Sequence, residues 1–94
     1  MIWSTSLAWT VEFTPRAQRD FKKLDSPVRQ RIRDFLRERV ATLNDPKQLG
    51  EPLAGPLAQL WRYRVGDYRI ICRIEYERIV ILVVGIGHRR DIYR

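Results

Sequence analysis

Ninety-four residues, 45% of them hydrophobic and including three Trp and four Tyr, can build one small core, which excludes a disordered tail or a repeat array. The net charge of +7 and a pI near 10.3 come from fifteen arginines against three lysines, which favours nucleic acid or an acidic protein as partner over a small neutral ligand. Cys72 stands alone, no apolar run is long enough to span a bilayer, and residues 1–7 lack the basic and long apolar parts of a signal peptide, so a reducing cytoplasm is the expected setting.

Residues 1–94 read as a single domain, with 1–7 a flexible N-terminal extension. Residues 8–13 (AWTVEF) alternate, with Trp9, Val11 and Phe13 on one face, and predict a first strand. Thr14 then suits an N-cap and Pro15 the first helical position, and Ala17, Phe21 and Leu24 recur at helical spacing. Asp25-Ser26-Pro27 repeats that start signal. Ile32, Phe35, Leu36, Val40 and Leu43 mark one side of a longer amphipathic helix, which Asn44-Asp45-Pro46 stops, and the two helices are expected to form an antiparallel hairpin. Arg29, Arg33 and Arg37 lie one turn apart on its outer side, a solvated face in the first instance and an auxiliary contact to a polyanion in the second. Residues 44–58, rich in Pro and Gly, read as a surface connection with little regular structure.

Residues 60–73 (LWRYRVGDYRIICR) predict a β-hairpin, since two aromatic and β-branched runs flank Gly66-Asp67. With that turn, Val65 faces Tyr68, Arg64 faces Arg69, Tyr63 faces Ile70 and Arg62 faces Ile71. One side then carries Trp61, Tyr63, Val65, Tyr68, Ile70, Cys72 and Ile74, and the other carries Arg62, Arg64, Arg69, Ile71 and Arg73. Like charges directly opposite each other repel. Arginines on an open sheet face can simply stay solvated, but four guanidinium groups on one patch suit multidentate phosphate recognition.

Glu75 to Arg78 mark a second turn, and residues 79–86 (IVILVVGI) are apolar at nearly every position, as expected of a central strand covered on both faces. Gly85 and Gly87 suggest a bulge or a close backbone approach. The order strand, two helices, three strands makes the fold class α+β: β-α-α-β-β-β, with a mainly antiparallel sheet packed against an N-terminal helical hairpin. The ending, His88-Arg89-Arg90-Asp91-Ile92-Tyr93-Arg94, is expected to emerge at the Gly66 end, beside Arg64 and Arg69. It would bring proton-transfer groups to the patch, because histidine titrates near neutrality and a tyrosine among cations has its ionised form favoured. Neither the single His nor the scattered carboxylates form a metal-site pattern, and no Gly-rich phosphate loop or serine triad motif is present, so no metal and no cofactor are expected.

The wording LWRYRVGDYRIICRI and VVGIGHRRDIYR, in this order of elements, resembles the RelE/ParE superfamily of bacterial type II toxins, closest to its RelE branch, over residues 8–94. The resemblance implies a RelE-like fold and an endoribonuclease that cuts messenger RNA in the ribosomal A site by 2′-hydroxyl attack, held in check by a cognate RelB-like antitoxin. Its basic residues of the first hairpin strand fall on Arg62 and Arg64, the arginine after the hairpin Tyr on Arg69, the basic residue after the strand-end Gly on Arg89, and the C-terminal Tyr on Tyr93. The expected catalytic set is therefore Arg64, Arg69, His88, Arg89 and Tyr93, and the RNA-phosphate set Arg62, Arg64, Arg69, Arg73 and Arg90.

Two departures matter. Arg62 and Arg64 stand where the best-known RelE has lysines, and an arginine is a poor proton acceptor, which moves the general base to His88 or Tyr93. With one residue after Tyr93, the C-terminal helix of some relatives is expected to be at most a single turn. A competing reading from the same superfamily is a ParE-like protein that inhibits DNA gyrase by binding alone, and a third is a plain nucleic-acid-binding module.

Overall fold

The computed structural model describes residues 1–3 and 8–88. Its strands are β1 (Ile2–Trp3), β2 (Thr10–Phe13), β3 (Glu51–Pro52), β4 (Trp61–Val65), β5 (Tyr68–Glu75) and β6 (Val80–His88), joined in one sheet of order β1-β2-β6-β5-β4-β3. Helices α1 (Pro15–Lys22) and α2 (Ser26–Asp34) follow β2. Every strand pair is antiparallel except β2 with β6. The α+β class and the mainly antiparallel sheet match expectation, and β6 is central as its unbroken apolar run requires.

The structure differs from expectation at both sheet edges. Residues 1–7 read as a loose extension, yet Ile2 and Trp3 pair with Glu12 and Val11, and the Trp3 ring lies 5.0 Å from Phe13 and 6.1 Å from Phe21. An indole that covers two core phenyl rings is enough to hold a two-residue strand. At the other edge, the connection read as irregular contains β3 and two short 3₁₀ turns, Pro46–Gln48 and Gly55–Leu57. The second helix, expected to run regularly past Val40, instead continues from α2 as a π-helical segment, Phe35–Val40, and the Ala41 amide donates to Leu36 O at 2.8 Å.

The remaining local structure follows the residues. Thr14 caps α1 by accepting from the Ala17 amide at 3.1 Å, Pro15 opens the helix, and Ala17 and Phe21 present one buried face. Ile32, Leu36 and Val40 supply the buried stripe of the second helix. These pack on the sheet side formed by Tyr63, Val65, Ile70, Cys72, Ile74, Ile81, Val83 and Ile86. Burial pushes both the Tyr63 phenol and the Cys72 thiol upward, so they stay neutral inside the core. Because β2 pairs with β6 only as far as Val83, the next stretch of β6 needs another cover, and α1 provides it: the Asp20 carboxylate accepts from the Ile86 amide at 3.1 Å.

Candidate phosphate-binding face

The turn that organises the site has the expected geometry. Gly66 takes a φ of +59°, which an L side chain resists, while Asp67 does not share the positive φ, and the register is the one the sequence predicts, Arg64 opposite Arg69 and Arg62 opposite Ile71. Period-two alternation then sets Arg62, Arg64, Arg69 and Arg73 on the side of the sheet away from the helices. On β6, Gly87 lies opposite Arg69 and Gly85 opposite Ile71, so the neighbouring strand adds no side chain to this part of the face. The register shift between Ile71 and Cys72 leaves Val84 as the extra residue of a bulge, the irregularity that the two glycines announce.

The arginines do not form one even patch. Ile71 is buried on their side of the sheet, within an apolar recess lined by Leu53, Leu57, Leu60 and Val84 with Arg16 at its rim. It separates Arg73, further along β5, from Arg69 near the turn. Arg62, Arg64 and Arg69 therefore make the convergent group.

That group contains an acid the sequence reading missed. Glu51 on β3 lies directly opposite Arg62, and its carboxylate accepts from the Arg62 guanidinium and, at 3.3 Å, from Arg64. The hydrogen bond and charge of Arg62, with smaller contributions from Arg64 and Arg69, hold the Glu51 carboxyl below the usual carboxylate range. The segment before it is firmly anchored. The Trp61 indole donates to Leu49 O at 2.7 Å, the Tyr63 hydroxyl donates to Pro46 O at 2.6 Å, and the Lys47 ammonium lies 5.2 Å from the Trp61 ring and 5.4 Å from the Tyr76 ring. Asp45 accepts from the Lys47 amide at 3.0 Å and the Tyr76 hydroxyl at 2.9 Å. Gly50, with a φ of +76°, passes so close to the next strand that a Cβ would lie 2.5 Å from the Arg62 carbonyl oxygen. A lone carboxylate flanked by Gly50 and Pro52 was the available signal, but only strand pairing reveals which arginine it meets.

His88 is not brought to the arginines. It pairs with Tyr68, and the two rings meet edge-on at 5.7 Å, so the imidazole shares the helix-side face with Tyr68 rather than the opposite face. The structure differs here from the expected arrival beside Arg64 and Arg69, because the bulge adds one residue to β6 and reverses the side that follows it. Arg89, Arg90 and Tyr93 lie outside the described residues. Among the described residues, no group of three or more His, Cys, Asp or Glu is placed to hold a metal ion, and no helix is long and apolar enough to cross a membrane.

Comparison with known proteins decides the lineage. The family described as the ParE toxin of type II toxin-antitoxin systems, parDE, matches residues 11–93. The chain belongs to the RelE/ParE toxin superfamily. Within it the similarities point to the RelE branch. Toxin RelG of Mycobacterium tuberculosis is 33% identical over 88 residues, covering 94% of this chain and 99% of that protein. The mRNA interferase toxin RelE of Escherichia coli strain K12 is 29% identical over 84 residues, covering 88% and 85% of the two chains. In structure, the RelBE2 toxin-antitoxin complex of M. tuberculosis includes a chain that superposes with a TM-score of 0.79 at 29% identity, covering 95% of this toxin and all of that chain. Isolated E. coli RelE, at 21% identity and a TM-score of 0.66 over 83% of this chain and 81% of its own, shares the fold.

Proposed function

We propose that this toxin is a ribosome-dependent endoribonuclease that cuts messenger RNA in the A site and so inhibits translation in the cytoplasm. The observation that carries the reading is the convergence of Arg62 and Arg64 on one carboxylate oxygen, with Arg69 directly across the hairpin from Arg64, since cations arranged to share an anionic oxygen suit a phosphate equally well. A relative named mRNA interferase supports it. In the reaction the ribose 2′-oxygen attacks the adjacent phosphorus, the bond from phosphorus to the 5′-oxygen breaks, and negative charge rises on the non-bridging oxygens. Arg64, Arg69 and Arg89 stabilise that charge, with Arg62, Arg73 and Arg90 positioning the strand. A base must take the 2′-hydroxyl proton and an acid must give a proton to the leaving 5′-oxygen. With His88 on the helix side, the reading gives Tyr93 the acceptor role.

The proposed partner besides messenger RNA and ribosomal RNA is an acidic RelB-like antitoxin over the basic surface. Solved relatives bound to RelB support this assignment, and a net charge of +7 would steer the association. A second reading is ParE-like inhibition of DNA gyrase without chemistry. It draws support from the description of the matching family and from His88, whose orientation removes one proton-transfer group from the face. In vitro translation with mapping of messenger 3′ ends, beside a gyrase supercoiling assay, separates the two. New 3′ ends at A-site codons support the nuclease, and supercoiling inhibition with intact messenger overturns it.

A further inference from the structure

The acid inside the arginine group has a consequence for how the site binds. We propose that Glu51 occupies the substrate-phosphate position of the RNA-free toxin and is displaced by the incoming phosphate, so that it is a built-in competitor for Arg62 and Arg64. This rests on the reading of the sheet face as a phosphate site. Two observations and one electrostatic argument carry it. First, Arg62 and Arg64 both donate to the same Glu51 oxygen, Oε1, the arrangement in which two guanidinium groups share an anionic ligand. Second, the backbone under Glu51 is fixed by its pairing with Arg62 and by the anchored segment before it, whereas its side chain is 48% exposed and can swing aside by rotation about its own bonds. Third, a phosphate that bridges Arg62 and Arg64 would lie within a few ångströms of that carboxylate. Like charges at such a distance repel appreciably even in a water-exposed setting.

The arrangement also meets a need of the empty protein. Arg64 and Arg69 face each other directly, a pairing that costs stability, and Glu51 offsets part of that cost until substrate arrives. Glu51 thus exchanges some affinity for a pre-aligned pair of guanidinium groups.

The test measures binding of a short single-stranded RNA, 2′-O-methylated so that it cannot be cleaved, to antitoxin-free toxin at low and high salt. Glu51→Gln, which keeps shape and removes charge, is expected to bind about three- to tenfold tighter at low salt, with the gain shrinking at high salt. Glu51→Asp keeps the charge but shortens its reach, and is expected to fall between wild type and Gln; it also carries the test if the Gln variant does not fold. Unchanged or weaker binding by both variants, while Arg69→Ala abolishes wild-type binding, overturns the competitor role and leaves Glu51 as a residue that only orients the arginines. Absence of salt-dependent RNA binding by the wild type overturns the phosphate reading itself, and this inference with it.

Discussion

The helical layer and the sheet face are both basic, but they arrange their charge differently. Residues 15–40 contain nine basic and four acidic side chains, and so account for five of the net seven charges. There the helical period spreads the cations, and two are engaged with rings: the Arg33 guanidinium lies 6.0 Å from Trp3 and 5.9 Å from Phe21, and that of Arg39 lies 6.0 Å from Phe35. The β4–β5 hairpin holds only four arginines, yet strand pairing sets three of them together, two donating to one carboxylate oxygen and the third directly opposite one of these. Net charge measures how strongly a surface attracts a polyanion, and convergence measures whether it can hold one phosphate in one place. By the first measure the helices dominate, and by the second the sheet does.

The largest expected effect separates the two layers. Arg69→Ala should lower single-turnover cleavage on programmed ribosomes by about a hundred- to a thousandfold, because under the proposed function it removes a preorganised cation from the reacting phosphate. It should leave the melting temperature unchanged or slightly higher, because it also removes a like-charge pair. Arg37→Ala, on the exposed helical ridge, should change the cleavage rate less than about threefold while weakening the salt dependence of ribosome association. Equal losses from both variants would erase the distinction between diffuse and convergent charge.

Next in size is Gly50→Ala. The added Cβ would meet the Arg62 carbonyl oxygen at 2.5 Å and the Trp61 Nε1 at 2.7 Å, at a φ of +76° that alanine resists. A loss of about 2–4 kcal/mol in denaturant unfolding is expected, together with a displaced β3. If stability falls while RNA affinity rises, the displacement has carried Glu51 away from the arginines, which would tie the edge strand to the site. An alanine tolerated without cost would mean that β3 is not held as closely as its contacts indicate.

These residues also show how far the sequence could be read. The hairpin register was legible in full, because a two-residue turn with a glycine fixes pairing and period two fixes the faces. The helix starts were legible from Thr14-Pro15 and Ser26-Pro27 for equally local reasons. What escaped depends on distant pairing. Glu51 meets Arg62 only through an edge strand two residues long, too short for any periodicity to appear. Ile2–Trp3 form a strand through ring contacts with Phe13 and Phe21, and no local motif encodes those. The face of His88 escaped for a third reason: the glycines of β6 signal a bulge, but its position, and with it the parity of the side chains beyond, is set by pairing with β5.

A smaller effect should appear with pH. Asp45 is held below the usual carboxylate range by the Lys47 amide and then the Tyr76 hydroxyl, and Glu51 by Arg62. A carboxyl lowered in the folded state contributes stability above its unfolded value and loses it as the pH falls through the folded one. Denaturant unfolding should therefore show stability declining as acid passes through the carboxylate range. The decline should be shallower in Glu51→Gln, which lacks one of the two groups. An identical acid limb in the variant would show that the arginines gain nothing from the carboxylate in the empty protein, and would remove the stabilising half of the Glu51 argument.

The smallest expected effect lies at the end of the sheet away from the Gly66 turn, where the β5–β6 connection puts Ile79 at a φ of 54°. A β-branched residue in the left-handed region is strained by about 1–2 kcal/mol, and here the side chain is 51% exposed, so little burial offsets the strain. The conformation persists because the turn is fixed on both sides. The Ile79 amide donates to Tyr76 O at 3.2 Å, its carbonyl accepts from the Thr10 amide at 3.1 Å, and Arg78 bridges Glu12 and Glu75. Ile79→Gly relieves the strain but adds backbone freedom to the unfolded chain, a cost of about 0.5–1 kcal/mol. The net expectation is a gain of roughly 0.5–1 kcal/mol, read as a melting temperature several degrees higher, with RNA affinity and cleavage unchanged. A stabilised variant with altered cleavage would mean that the two ends of the sheet are coupled, and that the arginine group depends on more of the fold than its own hairpin and edge strand.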